Sequence, residues 1–204
     1  VDVLPKLKPE LTWADPVIPF GNILSEENAL CCSSDQMGHF TYAGDGVPYE
    51  YSLTPEERAN PSDEQKQRLL EPTLPLDSGQ YVIQANFFPT DVENYSEQSL
   101  AVTLTVDRLV VALDYGPFQD IYYGDAIKTE MHLNARIVGI TLQFLPSTGV
   151  NGGHPAVEES SFGSFSYNME PKTLIKAGTH DLVVTYTPTD TTNFSTAVVT
   201  VPLK

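Results

Sequence analysis

Apolar and polar residues alternate along four segments of the chain, as in β-strands that have one buried face. The apolar positions of the four segments are Tyr81, Ile83, Ala85 and Phe87; Leu100, Val102 and Leu104; Leu182, Val184 and Tyr186; and Val199, Val201 and Leu203. Strands with one apolar and one polar face are typical of antiparallel sheets that pack on each other. Short strands separated by frequent turn residues, with 16 prolines in the chain, favour an all-β sandwich.

These segments belong to two copies of one longer stretch. FFPTDVENYSEQSLAVTLTV, residues 87–106, matches YTPTDTTNFSTAVVTVPLK, residues 186–204, so that Pro89 falls on Pro188 at an offset of 99. Upstream, GHFTY at 38–42 matches GSFSY at 163–167 at an offset of 125. A similar match between long segments indicates duplication of a whole domain.

The earliest match has a third offset. IPFGNILS at 18–25 matches IYYGDAIK at 121–128 at an offset of 103, and the same offset predicts a strand near 28–33 that recurs near 131–136. Because the offset rises from 103 to 125 and then falls to 99, each copy contains residues that the other lacks. We therefore predict one insertion within residues 135–162 of the second copy and another within residues 43–75 of the first.

The two insertions carry different local patterns. In the first, Thr54-Pro55-Glu56-Glu57 predicts a helix start with proline in the first turn, and Ser62-Asp63-Glu64-Gln65 is a capping box before a segment that stops at Pro72. In the second, ITLQFLP followed by STGVNGGHP predicts a strand and a glycine-rich turn, typical of an added β-hairpin.

The predicted organisation is two tandem β-sandwich domains. Residues 1–10 carry two prolines and no strand alternation, and we assign them to a linker or to the end of a preceding module. Domain 1 spans residues 11–106 and domain 2 spans residues 107–204. Only Asp107 and Arg108 separate the last strand of one domain from the first strand of the next, which predicts a stiff pair.

Several short motifs occur in order, most of them twice. They are TWADP at 12–16, IYYG at 121–124, GSFSY at 163–167, AGTH at 177–180, PTDVENY at 89–95 and PTDTTNF at 188–194. This set resembles bacterial immunoglobulin-like repeats of large secreted and cell-surface proteins, over nearly the whole chain except the insertions. The resemblance implies tandem immunoglobulin-like sandwiches, an extracellular or cell-surface location, and a role as stalk, spacer or adhesive segment. Repeats of that family normally lack either insertion.

The charge of the chain excludes some partners. The formal net charge is -16; residues 1–106 hold 5 Lys/Arg and 17 Asp/Glu (-12), and residues 107–204 hold 6 and 10 (-4). Such an acidic chain repels phosphate backbones, which argues against nucleic acid, and repels anionic membrane surfaces. Apolar runs also fall short of the roughly 18 residues that a membrane helix needs.

Three motifs bear on possible chemistry. Asp91 with Asn94, and Asp190 with Asn193, could offer oxygen atoms to calcium, but Pro-Thr-Asp is more typical of a turn whose aspartate binds its own backbone. The adjacent Cys31 and Cys32 could form a strained disulfide or an intermolecular link, or be one buried and one exposed thiol.

Patterns for catalysis, for a cofactor or for a metal centre are missing. The four histidines lie in distant segments without HxH or HExxH spacing, and GxSxG, P-loop and Rossmann glycine patterns do not occur. The sequence therefore predicts no enzyme, no cofactor and no metal site.

The insertions are the candidate binding regions, because binding residues concentrate on loops held by a rigid scaffold. The first carries Tyr49, Glu50 and Tyr51, a possible sugar-stacking or protein-contacting surface; the second carries Phe144 and His154. Alternatively, the insertions cover an exposed edge strand or cement the contact between domains. We expect a non-catalytic structural or adhesive segment that contacts other copies or neighbouring domains of its parent; the alternative is a module that binds a carbohydrate or a protein through its insertions.

Overall fold

The computed structural model describes residues 5–115, 121–122, 124–138 and 162–203. The chain divides into two compact units, Val1–Asp107 (unit 1) and Arg108–Lys204 (unit 2). Strands make up most of the regular structure in both units, as the alternating pattern predicts, so the all-β class is confirmed.

Unit 1 contains one four-stranded sheet and a two-stranded ribbon. Its elements are β1 (Leu11–Thr12), β2 (Val17–Pro19), β3 (Ser33–Ser34), β4 (Gly38–Gly44), a 3₁₀ helix (Tyr49–Ser52), α1 (Pro55–Ala59), α2 (Asp63–Leu69), β5 (Gly79–Pro89) and β6 (Gln98–Asp107). The sheet has the order β2-β6-β5-β4, and β1 pairs with β3. In the described part of this unit, β2 runs parallel to the end of β6, and Leu7 forms an isolated parallel bridge with Tyr95.

Unit 2 repeats this plan with shorter strands in its main sheet. Its elements are β7 (Leu109–Val110), β8 (Ala112–Asp114), α3 (Thr129–His132), β9 (Arg136–Val138), β10 (Gly163–Tyr167), β11 (His180–Pro188), β12 (Phe194–Ser195) and β13 (Ala197–Leu203). The main sheet has the order β10-β11-β13, β8 pairs with β9, and β7 runs parallel to β12.

The strand registers of the two units are equivalent. Phe87 pairs with Gln98 in unit 1, and Tyr186 pairs with Ala197 in unit 2, so both partners are shifted by 99. On the other side of the central strand, Gly38 pairs with Pro89 and Gly163 with Pro188, shifts of 125 and 99. Ribbon positions such as Leu11 and Leu113 differ by 102, and their partners Ser34 and Ile137 by 103. The offsets of 99 and 125 that the sequence shows therefore relate strands that pair alike in the main sheets. In the ribbons the sequence offset of 103 holds for the second strand, and the first strand differs from it by one residue.

Each unit encloses its own apolar core. In unit 1 the buried side chains include Trp13, Leu30, Ile83 and Leu104, which come from both the sheet and the segments beside the ribbon. In unit 2 two neighbouring clusters contain, among others, Leu133, Leu182 and Val184, and Val111, Tyr186 and Ala197. The alternating residues of β5, β6 and β11 supply the buried face, as the sequence predicts.

The strand predicted near 28–33, with its copy near 131–136, is wrong. Residues 26–29 form a turn in which the Ser25 carbonyl accepts from the amides of Ala29 (3.0 Å) and Leu30 (2.8 Å). In unit 2 the corresponding chain forms α3, and β9 begins only at Arg136. Local bonds satisfy the backbone there and replace a strand ladder, because short polar side chains nearby accept from the backbone.

The helical insertion is confirmed in type and corrected in detail. The structure has two short helices, α1 and α2, where the sequence predicted one helical stretch, since Asn60 precedes Pro61 and the residue before proline disfavours the α conformation. The predicted hairpin of the second insertion falls on residues 139–161, which lie outside the described residues.

The start of the described chain belongs to unit 1. The Leu7 amide donates to the Asn94 carbonyl (2.8 Å), and the Ser96 amide donates to the Leu7 carbonyl (2.9 Å). In unit 2 the Leu109 amide donates to the Asn193 carbonyl (2.8 Å) in the same way. Leu7, which lies in the segment 1–10 assigned from the sequence to a linker or to the end of a preceding module, thus occupies in unit 1 the place that Leu109 of β7 occupies in unit 2.

Candidate functional site

The first insertion is anchored to the core of unit 1 at both ends. Val47 and Tyr51 pack against the core on one side and Leu76 on the other, and Leu53 is buried. Gly46 has a φ of 70°, and a Cβ there would lie 2.5 Å from Cγ of Leu76, so this turn requires glycine. The segment between these anchors is held as a fixed projection beside β4.

The helices of the insertion are stabilised by their own caps. Thr54 accepts from the Glu57 amide and the Glu57 carboxylate accepts from the Thr54 amide; Ser62 and Gln65 repeat this capping box. Hydrogen bonds from the Thr54 amide and hydroxyl, then from Gln65, lower the pKa of Glu57. Gln65 Nε2 donates to Glu57 Oε1 (3.3 Å), which ties α2 to α1. Neither helix contains a buried residue, so packing contributes little to their stability.

The predicted binding residues of the first insertion do not form an open aromatic platform. The guanidinium carbon of Arg68 lies 3.8 Å from the centre of the Tyr49 ring, so one ring face is already covered. Tyr51 packs against the core, and Glu50 is exposed beside them. Phe144 and His154 lie outside the described residues. A sugar could therefore stack only on the face of Tyr49 that Arg68 leaves uncovered and on the part of Tyr51 that does not pack against the core.

Two highly exposed leucines of the same insertion, Leu70 and Leu74, together called the strip below, were not identified from the sequence. Leu70 is 85% exposed and Leu74 is 74% exposed. Leu70 lines a shallow depression together with Pro72 and with the polar and charged residues Asp63, Lys66, Gln67 and Glu71. The signal in the sequence was the run LLEPTLPL at 69–76, which stands out after two polar helices that bury nothing.

Both candidate calcium turns hold their aspartate by hydrogen bonds. Asp91 accepts from the amide (3.1 Å) and side-chain nitrogen (2.8 Å) of Asn94, and Asp190 accepts from the same two groups of Asn193 (3.1 and 2.9 Å). The bond from the Asn94 side chain, then that from its backbone, lowers the pKa of Asp91. The oxygen atoms that a cation would need already serve the turn.

The two cysteines are free thiols in different environments. Cys31 is exposed and Cys32 is buried. Burial, and secondly the neighbouring Cys31, raise the pKa of Cys32 to about 11. A thiol with such a pKa stays protonated at neutral pH and is a weak nucleophile. The expectation of one buried and one exposed thiol is therefore met, although both cysteines lie before β3 and not within a strand.

The described residues contain neither a metal-binding cluster nor a membrane-spanning helix. Within the described ranges, no group of three or more His, Cys, Asp or Glu side chains could hold a metal ion. In those same ranges, no helix combines the length and apolar character needed to cross a membrane.

Comparison with known protein families, with curated proteins and with solved structures finds no match for this chain.

Proposed function

We propose that this chain is a non-catalytic structural segment of an extracellular or cell-surface protein, and that each unit is an immunoglobulin-like sandwich. The observation that carries this proposal is the shared pairing scheme of the two units. Gly38 with Pro89 and Gly163 with Pro188 occupy equivalent places, although the number of residues between β4 and β5 differs from that between β10 and β11. A scaffold repeated with variable insertions favours a spacing or assembling role over one specialised reacting site.

The junction between the units supports the same role. β6 ends at Asp107 and β7 begins at Leu109, so a single residue, Arg108, joins them. A one-residue connection suits modules that are repeated in series, because it leaves little backbone freedom.

The shifted pKa values also suit a structural role. Burial is the first cause of the raised pKa values of Cys32, Tyr42 and Tyr167, as is typical of side chains in a packed core.

A protein-binding role for the first insertion is the second candidate, and the exposed Leu70 and Leu74 favour it. Large apolar side chains that project from a fixed insertion are typical of contact surfaces. The covered ring of Tyr49 favours a protein over a carbohydrate as the partner at this place.

Sedimentation velocity and a glycan array test the structural role on the whole chain. Replacement of residues 54–71 by a short Gly-Ser linker removes both helices without removing a residue of the core, since α1 and α2 bury nothing. For a structural segment we expect no glycan binding, and self-association that this deletion abolishes. Tight glycan binding by a monomer would overturn the structural role.

Point variants separate the exposed strip from the rest of the insertion. Leu70→Ser with Leu74→Ser should abolish the self-association if the strip makes the contact. Leu174→Ser is the matched control, because Leu174 is also exposed (69%) but lies in unit 2. Equal loss in the control would contradict a contact through the strip.

A further inference from the structure

The segment that precedes the second ribbon strand is closed by one equivalent bond in each unit. In unit 1 the Trp13 indole nitrogen donates to the Ala29 carbonyl (2.9 Å), and in unit 2 the Tyr115 hydroxyl donates to the His132 carbonyl. Trp13 and Tyr115 are 102 residues apart, and Ala29 and His132 are 103 apart, the same offsets that relate the ribbons. The two units therefore lock this segment at the same place with different side chains.

A second bond of this segment differs in its chemistry. The Ser25 amide donates to Oδ1 of Asn28 (2.9 Å), and the equivalent Lys128 amide, 103 residues later, donates to Nδ1 of His132 (2.9 Å). The acceptor in unit 1 is a carboxamide, which does not titrate. The acceptor in unit 2 is an imidazole nitrogen, which accepts only while the ring is neutral and its proton is on Nε2.

The surroundings of His132 disfavour its charged form. The residue is 3% exposed and lies beside the buried Leu133 and Ile127. Burial is the main cause that lowers its pKa, the charge of Lys128 adds to the effect, and the charge of Asp125 opposes it. The described hydroxyl groups nearby are neutral: Tyr115 bonds to the His132 carbonyl, and Tyr167 accepts from the Ala135 amide (3.3 Å).

We propose that His132 makes unit 2 acid-sensitive, because protonation of Nδ1 removes the acceptor of the Lys128 amide and opens segment 128–133, whereas unit 1 keeps its Asn28-closed turn. The proton that binds Nδ1 would point at the Lys128 N–H, so the two donors cannot coexist in this geometry. Opening also frees the His132 carbonyl from Tyr115 and exposes Leu133, which loosens the core between the ribbon and the main sheet.

The direction of the pH dependence follows from the lowered pKa. In the unfolded chain the histidine titrates near 6.5, and in folded unit 2 it titrates lower. The stabilisation is complete above about pH 6.5 and is lost as the pH falls towards the folded value. Between these two pKa values, the equilibrium constant for opening of segment 128–133 should rise about tenfold for each unit by which the pH falls, since one proton is taken up on opening.

Hydrogen exchange of the full chain between pH 5 and pH 8 tests this proposal. After correction for intrinsic exchange rates, amide protection in residues 125–133 should fall towards pH 5, while protection in residues 25–30 stays constant. The His132 ring, followed by NMR, should titrate below about 6.5. Constant protection of residues 125–133, or a His132 titration at or above 6.5, overturns the proposal without any variant.

Two variants isolate the imidazole. His132→Asn retains an acceptor near the position of Nδ1 and cannot be protonated, so protection of residues 125–133 should become independent of pH. His180→Asn is the control, because His180 is a second histidine of unit 2 that bonds through Nε2 to the Lys176 carbonyl (2.7 Å) and lies at the start of β11. The His180→Asn variant should keep the wild-type pH response. A pH response that persists in His132→Asn and disappears in His180→Asn would assign the effect to His180 and overturn the proposal.

Discussion

At the scale of single residues, two glycines show why the motifs GHFTY and GSFSY recur. A Cβ on Gly38 would lie 2.5 Å from Cζ of Phe87 and closer still to the Phe88 carbonyl, and a Cβ on Gly163 would lie 2.5 Å from the Tyr186 hydroxyl. Each glycine is the first residue of an edge strand and lies against a buried aromatic ring of the neighbouring strand. The sequence marks the glycine, but the reason for it is the approach of a side chain many residues away.

Gly38→Ala should destabilise unit 1 by about 1–3 kcal/mol, because the added methyl group forces the Phe87 ring or β5 to move. Chemical denaturation monitored by the fluorescence of Trp13, the only tryptophan, measures the loss. Gly79→Ala is the matched control within the same sheet, since its Cβ would meet nothing closer than 3.8 Å. Equal destabilisation by both variants would contradict the steric explanation.

At the scale of elements, long strands were predictable and short segments were not. The sequence marked the starts of both helices, by Thr54-Pro55 for α1 and by the capping box at Ser62 for α2, because such signals act through neighbours in sequence; it did not predict that the stretch divides into two helices. The strand predicted near 28–33 rested on the repeat offset, yet the Ser25 carbonyl and the Asn28 side chain close residues 26–30 into a turn. Local propensity cannot decide such cases when a few hydrogen bonds favour another conformation.

Ser62→Ala should unfold α2 locally and leave unit 1 intact. Removal of this cap costs the helix about 1 kcal/mol, and α2 has no buried residue to offset the loss. Hydrogen exchange should show faster exchange in residues 63–70, whereas the unfolding transition reported by Trp13 stays within about 0.5 kcal/mol of the wild type.

Gln67→Ala serves as the control for that variant, because it changes an exposed residue of α2 and keeps the capping box. Its exchange in residues 63–70 should match the wild type. A matching increase in Gln67→Ala would show that the effect is not specific to the cap, and a shifted Trp13 transition in Ser62→Ala would show that α2 contributes to the core.

At the scale of the whole molecule, the two cores are built from separate parts of the chain. Among the residues that the structure describes, the buried cluster that contains Trp13 and Ile83 draws only on residues before Asp107, and the clusters around Leu182 and Tyr186 draw only on residues after Arg108. A core that is complete within one stretch of about 100 residues is the requirement for an independently folding domain.

Residues 1–107 expressed alone should therefore fold. We expect buried, blue-shifted Trp13 fluorescence and a thermal midpoint within about 4 °C of the corresponding transition in the full chain, which corresponds to under about 1 kcal/mol. A fragment that ends at residue 97 is the control: it lacks β6, which lies between β2 and β5 in the sheet, and should not fold. Failure of the longer fragment would mean that unit 2 completes the first core.

The sequence by itself determined the β class, the paired long strands, the helix starts and the offsets at which the two units pair alike, because alternation and capping depend on neighbours along the chain. Only the tertiary structure decided that residues 26–29 turn, that Arg68 covers Tyr49, and that His132 is buried with Nδ1 on the Lys128 amide. The burial of His132 and the contact of Arg68 with Tyr49 depend on packing between segments that are apart in the chain, whereas the turn at residues 26–29 is chosen over a strand by a few local hydrogen bonds. The chemical differences between the two similar units therefore follow from their tertiary structures and not from the repeat pattern alone.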